Sequence, residues 1–395
     1  MSSGACERAC QVNLLAIGLD DTLVRDVVGS GSDAHQRQLK YATVLESYHL
    51  LVRTLGGSNL PVVQKASNFW VYPSNSSNKF TFVWDAIRIG GRICREHGID
   101  VISTQDPFAT ALAGYVLKRR YRLPLSIQFA GDMVDNPYWL KERKLYPAMN
   151  VLARWLIKQG DTFRVVSIQE KDKLVAMGIP EDRVWNLGWI TDFSRFVTAD
   201  GSHIRHRYLG NRFSHLVLFA GRLVDQKDLP TLLKAIPLVL GQHNDVRFLL
   251  VGDGNRREKL RNLAQELQIS EYVVFAGEVS YDHIPAHFAA CDLFVLPSVY
   301  EGNARVLAEA AAAAKPVVAT EVSGTRDTVV DGETGYIVPP REPATLARQI
   351  ISLLNDPQRA KEMGEEGQTH VMALYEENRL LEGFRELWET TARCL

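Results

Sequence analysis

Short apolar runs alternate along this chain with segments in which apolar residues recur every three or four positions. The runs have the length of strands, and the periodic segments between them have the spacing of helices that bury one face. Strands are predicted at residues 12–17, 48–52, 101–105, 125–129, 164–168, 215–220, 246–252, 273–277, 293–297 and 316–320. Helices are predicted at residues 79–97, 108–120, 228–240, 255–267, 282–289, 304–314 and 343–355. This alternation predicts an α/β fold built on parallel sheets.

The predicted elements fall into two sets. Around residues 190–200 the chain is polar and shows neither helix nor strand periodicity. We therefore expect two doubly wound, Rossmann-like domains, residues 1–192 and 193–375. A last helix, within residues 376–395, follows the second set and is expected to pack back on the first domain.

Composition places the chain among globular proteins. It has 395 residues, of which 46% are hydrophobic and 23% charged, and its net charge of −1 gives no overall attraction to nucleic acid. The five cysteines are scattered without a CxxC pair, which indicates neither a disulfide framework nor a zinc site. The N-terminus does not resemble a signal peptide, and no apolar run is long enough to span a membrane. These features favour a cytoplasmic protein.

Two glycine-containing turns follow predicted strands in the second half. In FAGRLVDQK, residues 219–227, Gly221 permits a tight turn, and Arg222 and Lys227 lie where open α/β sheets bind ligands. A guanidinium fork with a mobile ammonium suits a diphosphate, although two ordinary solvated loop cations would give the same pattern. The Gly252-x-Gly254 turn follows the next strand and would let the backbone approach a ligand, but glycine is also common at strand ends.

Two carboxylates flank a predicted helix start. Glu301 lies in the loop after the strand at 293–297, and Glu309 lies inside the following apolar helix. If the segment were all helical, eight residues would span about 12 Å, more than the roughly 5 to 9.5 Å between the acids of a glycosidase. The spacing suits acids that bind separate hydroxyl-bearing parts of one elongated ligand. The alternative is a residue near a helix cap and a solvated helix residue, but a lone carboxylate in so apolar a helix needs a partner.

Several of these motifs together resemble one enzyme family. EGNARVLAE, residues 301–309, resembles the E-x7-E motif of retaining, nucleotide-sugar-dependent glycosyltransferases of the family-four class. AGRLVDQK, VGDG and VVFAGEV precede it in the order and spacing of that family, and the similarity is strongest over residues 215–355. The resemblance implies the GT-B architecture, in which two Rossmann-like domains face each other across a cleft.

The resemblance also implies a role for each matching residue. Arg222 and Lys227 would hold the donor diphosphate, Glu301 would bind the transferred sugar, and Glu309 would bind the ribose. The first three would form the catalytic group. The remaining donor-binding positions would be Gly221, Gly252, Gly277, Glu278, Gly302, Asn303, Ala304, Arg305 and Val306.

The first half departs from the family at the acceptor side. Many members have a histidine that contacts the donor sugar where this chain has Ala130, which leaves Asp132 as the nearest polar side chain. Arg37 is a further candidate for the acceptor pocket. The metal-binding D-x-D motif of the other major glycosyltransferase architecture is absent, so Arg222, Lys227 and helix N-termini would neutralise the leaving diphosphate.

The expected function is a metal-independent, retaining hexosyltransferase without a cofactor. It would move a hexose from a UDP- or GDP-sugar to a hydroxyl of a glycan, a lipid-linked glycan or a small metabolite, for example in polysaccharide biosynthesis. Transfer would occur on one face of the sugar, with a donor phosphate oxygen helping to take the acceptor proton. A sugar-nucleotide epimerase and a non-catalytic sugar-nucleotide-binding protein on the same scaffold are the alternatives, and Ala130 makes the second credible.

Basic and aromatic residues occur together in the first half. Residues 116–123 and 139–158 combine Lys and Arg with Trp139, Tyr146 and Trp155, a composition that suits an anionic membrane surface. Peripheral attachment to the inner face of the membrane is therefore an expectation beside a purely cytoplasmic location. The alternative is that the cations complement helix dipoles while the apolar residues pack on the sheet.

Overall fold

The computed structural model describes residues 12–25, 33–56, 59–302 and 304–394. The chain divides into two compact units, Met1–Thr191 together with Glu377–Leu395, and Asp192–Glu376. Each unit has its own sheet with helices packed on it.

The first unit is built on an eight-stranded sheet. Its strand order is β3-β4-β2-β1-β5-β6-β7-β8, and among the described residues every neighbouring pair is parallel except β3 with β4. The strands are β1 (Asn13–Gly18), β2 (Ser47–Val52), β3 (Val63–Ala66), β4 (Phe69–Pro73), β5 (Val101–Thr104), β6 (Leu125–Gln128), β7 (Thr162–Val165) and β8 (Val184–Asn186). The helices are α1 (Thr22–Arg25), α2 (Asp33–Ala42), α3 (Thr81–Glu96), α4 (Ala109–Tyr121), α5 (Pro137–Glu142), α6 (Tyr146–Ile157) and α7 (Ile168–Ala176).

The second unit is built on a six-stranded sheet. Its order is β11-β10-β9-β12-β13-β14, with parallel pairing throughout the described strands. The strands are β9 (His215–Ala220), β10 (Val246–Val251), β11 (Val273–Gly277), β12 (Leu293–Leu296), β13 (Val317–Thr320) and β14 (Gly335–Val338). The helices are α8 (Ser194–Val197), α9 (Ser202–Leu209), α10 (Leu229–Leu240), α11 (Arg257–Glu266), α12 (Ile284–Ala290), α13 (Arg305–Ala312), α14 (Thr325–Thr328), α15 (Pro343–Asn355) and α16 (Pro357–Leu374).

These two sheets confirm the predicted α/β fold with two Rossmann-like, doubly wound halves. The central strands are almost wholly buried, as expected for parallel strands covered by helices on both faces. The apolar pattern does not predict β3, β4, β8 and β14. Three of these, β3, β8 and β14, are edge strands of three or four residues. An edge strand pairs with a single neighbouring strand and is less buried, so it has no long apolar run, and β3 even carries Gln64 and Lys65.

The last helix, α17 (Glu377–Ala392), is part of the first unit. Its ring residue Phe384 packs on Tyr41 of α2 with ring centroids 4.6 Å apart. The hydroxyls of Thr162 in β7 and Thr391 share a hydrogen bond of 2.6 Å, and both side chains are fully buried. The helix therefore supplies part of the first unit's core.

One carboxyl group of the first unit is buried without a cation bound to it. Glu170, on the first turn of α7, is 4% exposed, and its Oε2 accepts a hydrogen bond of 3.1 Å from the amide of Val166. Removal from water raises the pKa of Glu170 to about 8. The folded protein therefore holds a proton at this side chain that the unfolded chain releases at a lower pH.

We expect the contribution of Glu170 to the free energy of unfolding to fall as the pH rises from about 4.5 to 8. Over this window the native state binds more protons at Glu170 than the unfolded state does, so at this side chain higher pH favours unfolding. Urea denaturation of the wild type and a Glu170→Gln variant between pH 5 and 9 should show a free-energy difference, wild type minus variant, that falls as the pH rises. An exposed control, Glu258→Gln, should keep the wild-type dependence. Identical pH profiles for wild type and Glu170→Gln would contradict this account.

Candidate functional site

The strand order of the second unit creates a crevice at one sheet edge. β9 and β12 are neighbours, but the chain continues from β9 toward β10 and from β12 toward β13, on opposite sides. The loops that follow these two strands therefore leave in opposite directions, and ligands of open α/β sheets bind at such a point. The loop at residues 221–228 carries the predicted cations Arg222 and Lys227, and the loop after β12 carries the predicted acid Glu301.

Hydrogen bonds join these two loops directly. The amide of Val299 donates to the carbonyl of Gln226 at 2.9 Å, and Nε2 of Gln226 donates to the carbonyl of Tyr300 at 3.1 Å. Thr320, at the end of β13, adds a hydroxyl hydrogen bond of 2.5 Å to the carbonyl of Ser298. The loops after β9, β12 and β13 thus form one connected structure rather than three independent turns.

An ion pair lies at the centre of this structure. Nζ of Lys227 is 2.5 Å from Oε1 of Glu301, and the exposed fractions of the two side chains are 12% and 8%. The hydroxyl of Ser298, itself fully buried, donates to the same carboxylate oxygen at 2.6 Å. A pair this well shielded from water is screened little by salt, and each charge depends on the other for compensation.

The second acid, Glu309, lies eight residues after Glu301 and is held in a similar way. Glu309 is 7% exposed on α13, and Nε of Arg305 lies 3.1 Å from its Oε1. The phenol of Tyr281 donates to the same oxygen at 3.3 Å, and the guanidinium of Arg305 lies 5.0 Å from the centre of the Tyr281 ring. This network supplies the partner that a carboxylate in an apolar helix requires.

Three predicted glycines lie in a row across the ends of β9, β10 and β11. The amide of Gly221 donates to the carbonyl of Val251 at 2.9 Å, and that of Gly252 donates to Gly277 at 2.8 Å. A β-carbon on Gly252 would lie 2.0 Å from the carbonyl oxygen of Gly221, and the residue has φ +128°. Glycine is therefore needed at 252 so that two backbone turns can touch, a reason that the strand-end pattern alone does not give.

The other donor-side positions differ in exposure. Arg222 is an exposed side chain in the loop after β9, and Glu278 is exposed after β11. Gly302 is half-buried, Ala304 is buried at the start of α13, and Val306 is half-buried on its first turn. Asn303 lies outside the described residues.

The predicted acceptor-side residues lie in the first unit. Ala130 is half-buried in the loop after β6. Asp132 is bonded to the ammonium of Lys173, and Nδ2 of Asn136 donates to it at 3.0 Å, so this carboxylate holds the loop together. Arg37, on α2, lies 4.9 Å from the centre of the Trp189 ring and lines a cavity of about 60 Å³. Gly18, Gln105, Gln128 and Trp189 also line that cavity.

Three residues at the site were not predicted from the sequence: Gln226, Ser298 and Tyr281. Gln226 stands inside FAGRLVDQK next to Lys227, and Ser298 lies three residues before Glu301, so a search for nearby hydrogen-bond partners would have found both. Tyr281 lies 28 residues before Glu309, and nothing in the sequence indicates that the two side chains meet.

Comparisons with known proteins cover both halves of the chain. Residues 22–185 match the family described as glycosyl transferase 4-like domain, and residues 207–370 match glycosyl transferases group 1. The alpha-D-kanosaminyltransferase of Streptomyces kanamyceticus is 28% identical over 73% of this chain and 76% of its own. A GDP-mannose-dependent alpha-(1-6)-phosphatidylinositol monomannoside mannosyltransferase of Mycolicibacterium smegmatis is 28% identical over 70% and 72%.

The fold has a solved counterpart as well. Sucrose-phosphate synthase from Thermosynechococcus elongatus superposes with a TM-score of 0.79 over 96% of this chain and 98% of its own, at 20% identity. The chain belongs to the nucleotide-sugar glycosyltransferases of the GT-B architecture. The glycosyltransferase thus has two Rossmann-like units, and Lys227 and Glu301 meet at the switch point of the second.

Neither a metal cluster nor a membrane span is evident in the described part of this glycosyltransferase. No group of three or more His, Cys, Asp or Glu side chains there is placed to hold a metal ion. Among the same residues, no helix combines the length and the apolar character needed to cross a bilayer.

Proposed function

We propose that this glycosyltransferase transfers a hexose with retention from a UDP- or GDP-sugar, bound at the carboxyl ends of β9 and β12. The observation that carries the proposal is the buried Lys227–Glu301 pair at the switch point, with Glu309 following on α13. Glu301 would accept hydrogen bonds from the sugar hydroxyls and Glu309 from the ribose hydroxyls. The nucleotide base would meet the backbone near Gly277 and Glu278.

The proposal needs no metal ion or cofactor for the leaving diphosphate. Arg222, Lys227 and the amino end of α13 would offer positive charge to the diphosphate. Charge developing on the diphosphate would be stabilised by groups that are already in place, because Lys227 is fixed by Glu301, which the hydroxyl of Ser298 holds in turn.

Retention is supported by the ion pairs that Glu301 and Glu309 form. Glu301 is paired with Lys227, and Glu309 is paired with Arg305, so neither carboxylate is uncommitted and available as a base. We infer that the proton of the acceptor passes to an oxygen of the leaving phosphate on the same face of the sugar. The anomeric configuration of the donor is then kept in the product.

The acceptor would be a hydroxyl group on a glycan, a lipid-linked glycan or a small metabolite, and it would bind to the first unit. The cavity of about 60 Å³ lined by Arg37, Gln105, Gln128 and Trp189 offers amides, a guanidinium and an indole to such a group. One relative's name gives GDP-mannose as donor and a phosphatidylinositol mannoside as acceptor. A cytoplasmic location is part of the proposal, since Cys94, Cys291 and Cys394 are all free thiols.

A donor panel tests this function. Purified protein is incubated with UDP-glucose, GDP-mannose and other nucleotide sugars, with and without EDTA, and the products are followed by NMR. Slow hydrolysis or transfer with the anomeric configuration kept, unaffected by EDTA, is expected. A changed sugar on an intact nucleotide would indicate an epimerase, and thermal stabilisation by the nucleotide without turnover would indicate a binding protein.

Restoring the family's histidine should raise activity. Ala130→His is expected to increase the turnover number severalfold, because an imidazole would add a donor-sugar contact at a half-buried loop position. Steady-state kinetics with the best donor of the panel measures the effect, and Ala130→Leu controls for added volume. An unaltered turnover number would argue that this loop serves another purpose.

A further inference from the structure

An exposed apolar row runs along α6 in the first unit. Val151 and Trp155 are 68% and 44% exposed, and Leu145, just before the helix, is 57% exposed. The opposite side of the same helix is fully buried through Ala153, Leu156 and Ile157. The helix is therefore apolar on both sides, although a helix at the surface of a globular unit normally shows polar residues to water.

The row has a regular spacing and is bounded by cations. Ala148, Val151 and Trp155 follow each other at intervals of three and four residues, so they lie on one face of the helix. Continuing this spacing places Lys144 before the row and Lys158 after it, and both are exposed. We call the set of Lys144, Leu145, Ala148, Val151, Trp155 and Lys158 the docking face.

The surroundings of the docking face are also basic. Trp155 contacts Tyr115 of α4 edge-on, with ring centroids 4.9 Å apart, so the middle of α4 lies beside it. Five further exposed cations occur on α4, on α5 and in the turns that follow them: Arg119, Arg120, Arg122, Lys141 and Arg143. Between residues 109 and 160 the exposed acid is Glu142, while Asp132 and Asp135 are paired with Lys173 and Arg154.

The apolar row and the cations around it together indicate which kind of partner the docking face binds. A second copy of the chain would bring the same cations against each other, which opposes a symmetric dimer through this face. Nucleic acid would match the charge, and its bases could stack on Trp155, but it offers no apolar surface to the aliphatic side chains of Leu145 and Val151. An anionic bilayer satisfies both features, since its interface accepts apolar and aromatic side chains while lysines at the row's ends reach the phosphates.

We propose that the docking face binds the surface of an anionic lipid bilayer, with α6 lying in the interface plane. Leu145, Val151 and Trp155 enter the headgroup region, and the surrounding Lys and Arg side chains neutralise lipid phosphates. This inference adds a partner to the proposed transferase function, but it depends on no step of the reaction.

Vesicle sedimentation tests the proposal with the intact protein. The wild type is expected to bind vesicles of phosphatidylglycerol and phosphatidylcholine, to bind pure phosphatidylcholine at least tenfold less, and to be released by salt. The triple variant Leu145→Ser/Val151→Ser/Trp155→Ser and the double variant Lys144→Glu/Lys158→Glu should each bind anionic vesicles at least about tenfold more weakly.

Matched controls come from the second unit. Leu238 and Met372 are 49% and 44% exposed, so Leu238→Ser/Met372→Ser removes apolar surface without touching the docking face. Lys234→Glu/Lys259→Glu reverses two exposed charges in the same way. Both control variants should bind vesicles like the wild type, and circular dichroism verifies that all variants are folded.

Several outcomes would overturn the proposal. The wild type could fail to bind anionic vesicles, or it could bind neutral vesicles equally well. The docking-face variants could also bind anionic vesicles like the wild type. A dimer in solution that disappears in the triple variant would show that the face binds a second copy instead. Donor hydrolysis measured without vesicles keeps the two proposals separate, because docking-face variants should retain it even if the lipid proposal fails.

Discussion

Replacing Lys227 with methionine is expected to lower the turnover number by about 10²–10³-fold, the loss typical of removing one preorganised charge-stabilising group. The ammonium is the cation fixed nearest Glu301, and methionine keeps most of the side-chain length while removing the charge. Steady-state kinetics with the best donor measures the effect. Lys234→Met, an exposed lysine on α10, serves as the control and should leave the turnover number unchanged.

Lost stability must be separated from lost catalysis in this variant. Lys227→Met leaves the carboxylate of Glu301 buried without its cation, which costs about 3–5 kcal/mol in comparable buried pairs. The double variant Lys227→Met/Glu301→Gln removes that uncompensated charge and keeps an acceptor for the Ser298 hydroxyl. We expect urea denaturation to show that the double variant regains much of the lost stability.

The turnover number of the double variant should stay as low as that of the single one. If activity returned together with stability, Lys227 would be a structural residue and the diphosphate would have to be neutralised elsewhere. Near-wild-type activity of Lys227→Met, in a protein shown to be folded, would contradict the proposed role outright.

Replacing Glu309 with alanine is expected to weaken nucleotide binding by about 10- to 100-fold. Hydrogen bonds to a charged group contribute roughly 1.5–3 kcal/mol, which corresponds to that change in affinity. The ribose hydroxyls would lose an ionised acceptor that Arg305 and Tyr281 hold in place. Isothermal calorimetry with UDP and GDP measures the affinity.

The chain offers a close control for this change. Glu321 is paired with Arg326 in the same unit but is 46% exposed, so Glu321→Ala breaks an Arg–Glu pair without altering the crevice. Glu321→Ala should bind nucleotide like the wild type, whereas Glu309→Gln should fall between wild type and Glu309→Ala. Unchanged nucleotide affinity in Glu309→Ala would refute the ribose contact.

Local sequence pattern predicted where the site lies better than how it is held together. The strand at 293–297 and the turn after β9 were both recognised from apolar runs, so Lys227 and Glu301 were placed at one sheet edge. Their ion pair was not predicted, since the partners are 74 residues apart and meet because β9 and β12 are neighbours in the sheet. Strand order depends on the packing of the whole unit, which no single segment encodes.

The contacts within the first unit were harder to predict from the sequence. Asp132 was singled out as a polar side chain near the acceptor, but its ion pair with Lys173 depends on a helix 41 residues further along the chain. For the docking face, the composition was evident from the sequence, but the exposure of each side chain was not. The basic and aromatic composition of residues 139–158 was visible in the sequence, but Trp139 is 6% exposed, whereas Trp155 is 44% exposed.

The position of α17 has a consequence for biosynthesis. The helix belongs to the first unit, yet it leaves the ribosome only after all of the second unit has been translated. Phe384 and Thr391 fill space against Tyr41 and Thr162 that stays open until then. The first unit must therefore wait, incompletely packed, until α17 has been translated, and a nascent chain stalled near residue 376 would expose this gap to chaperones and proteases.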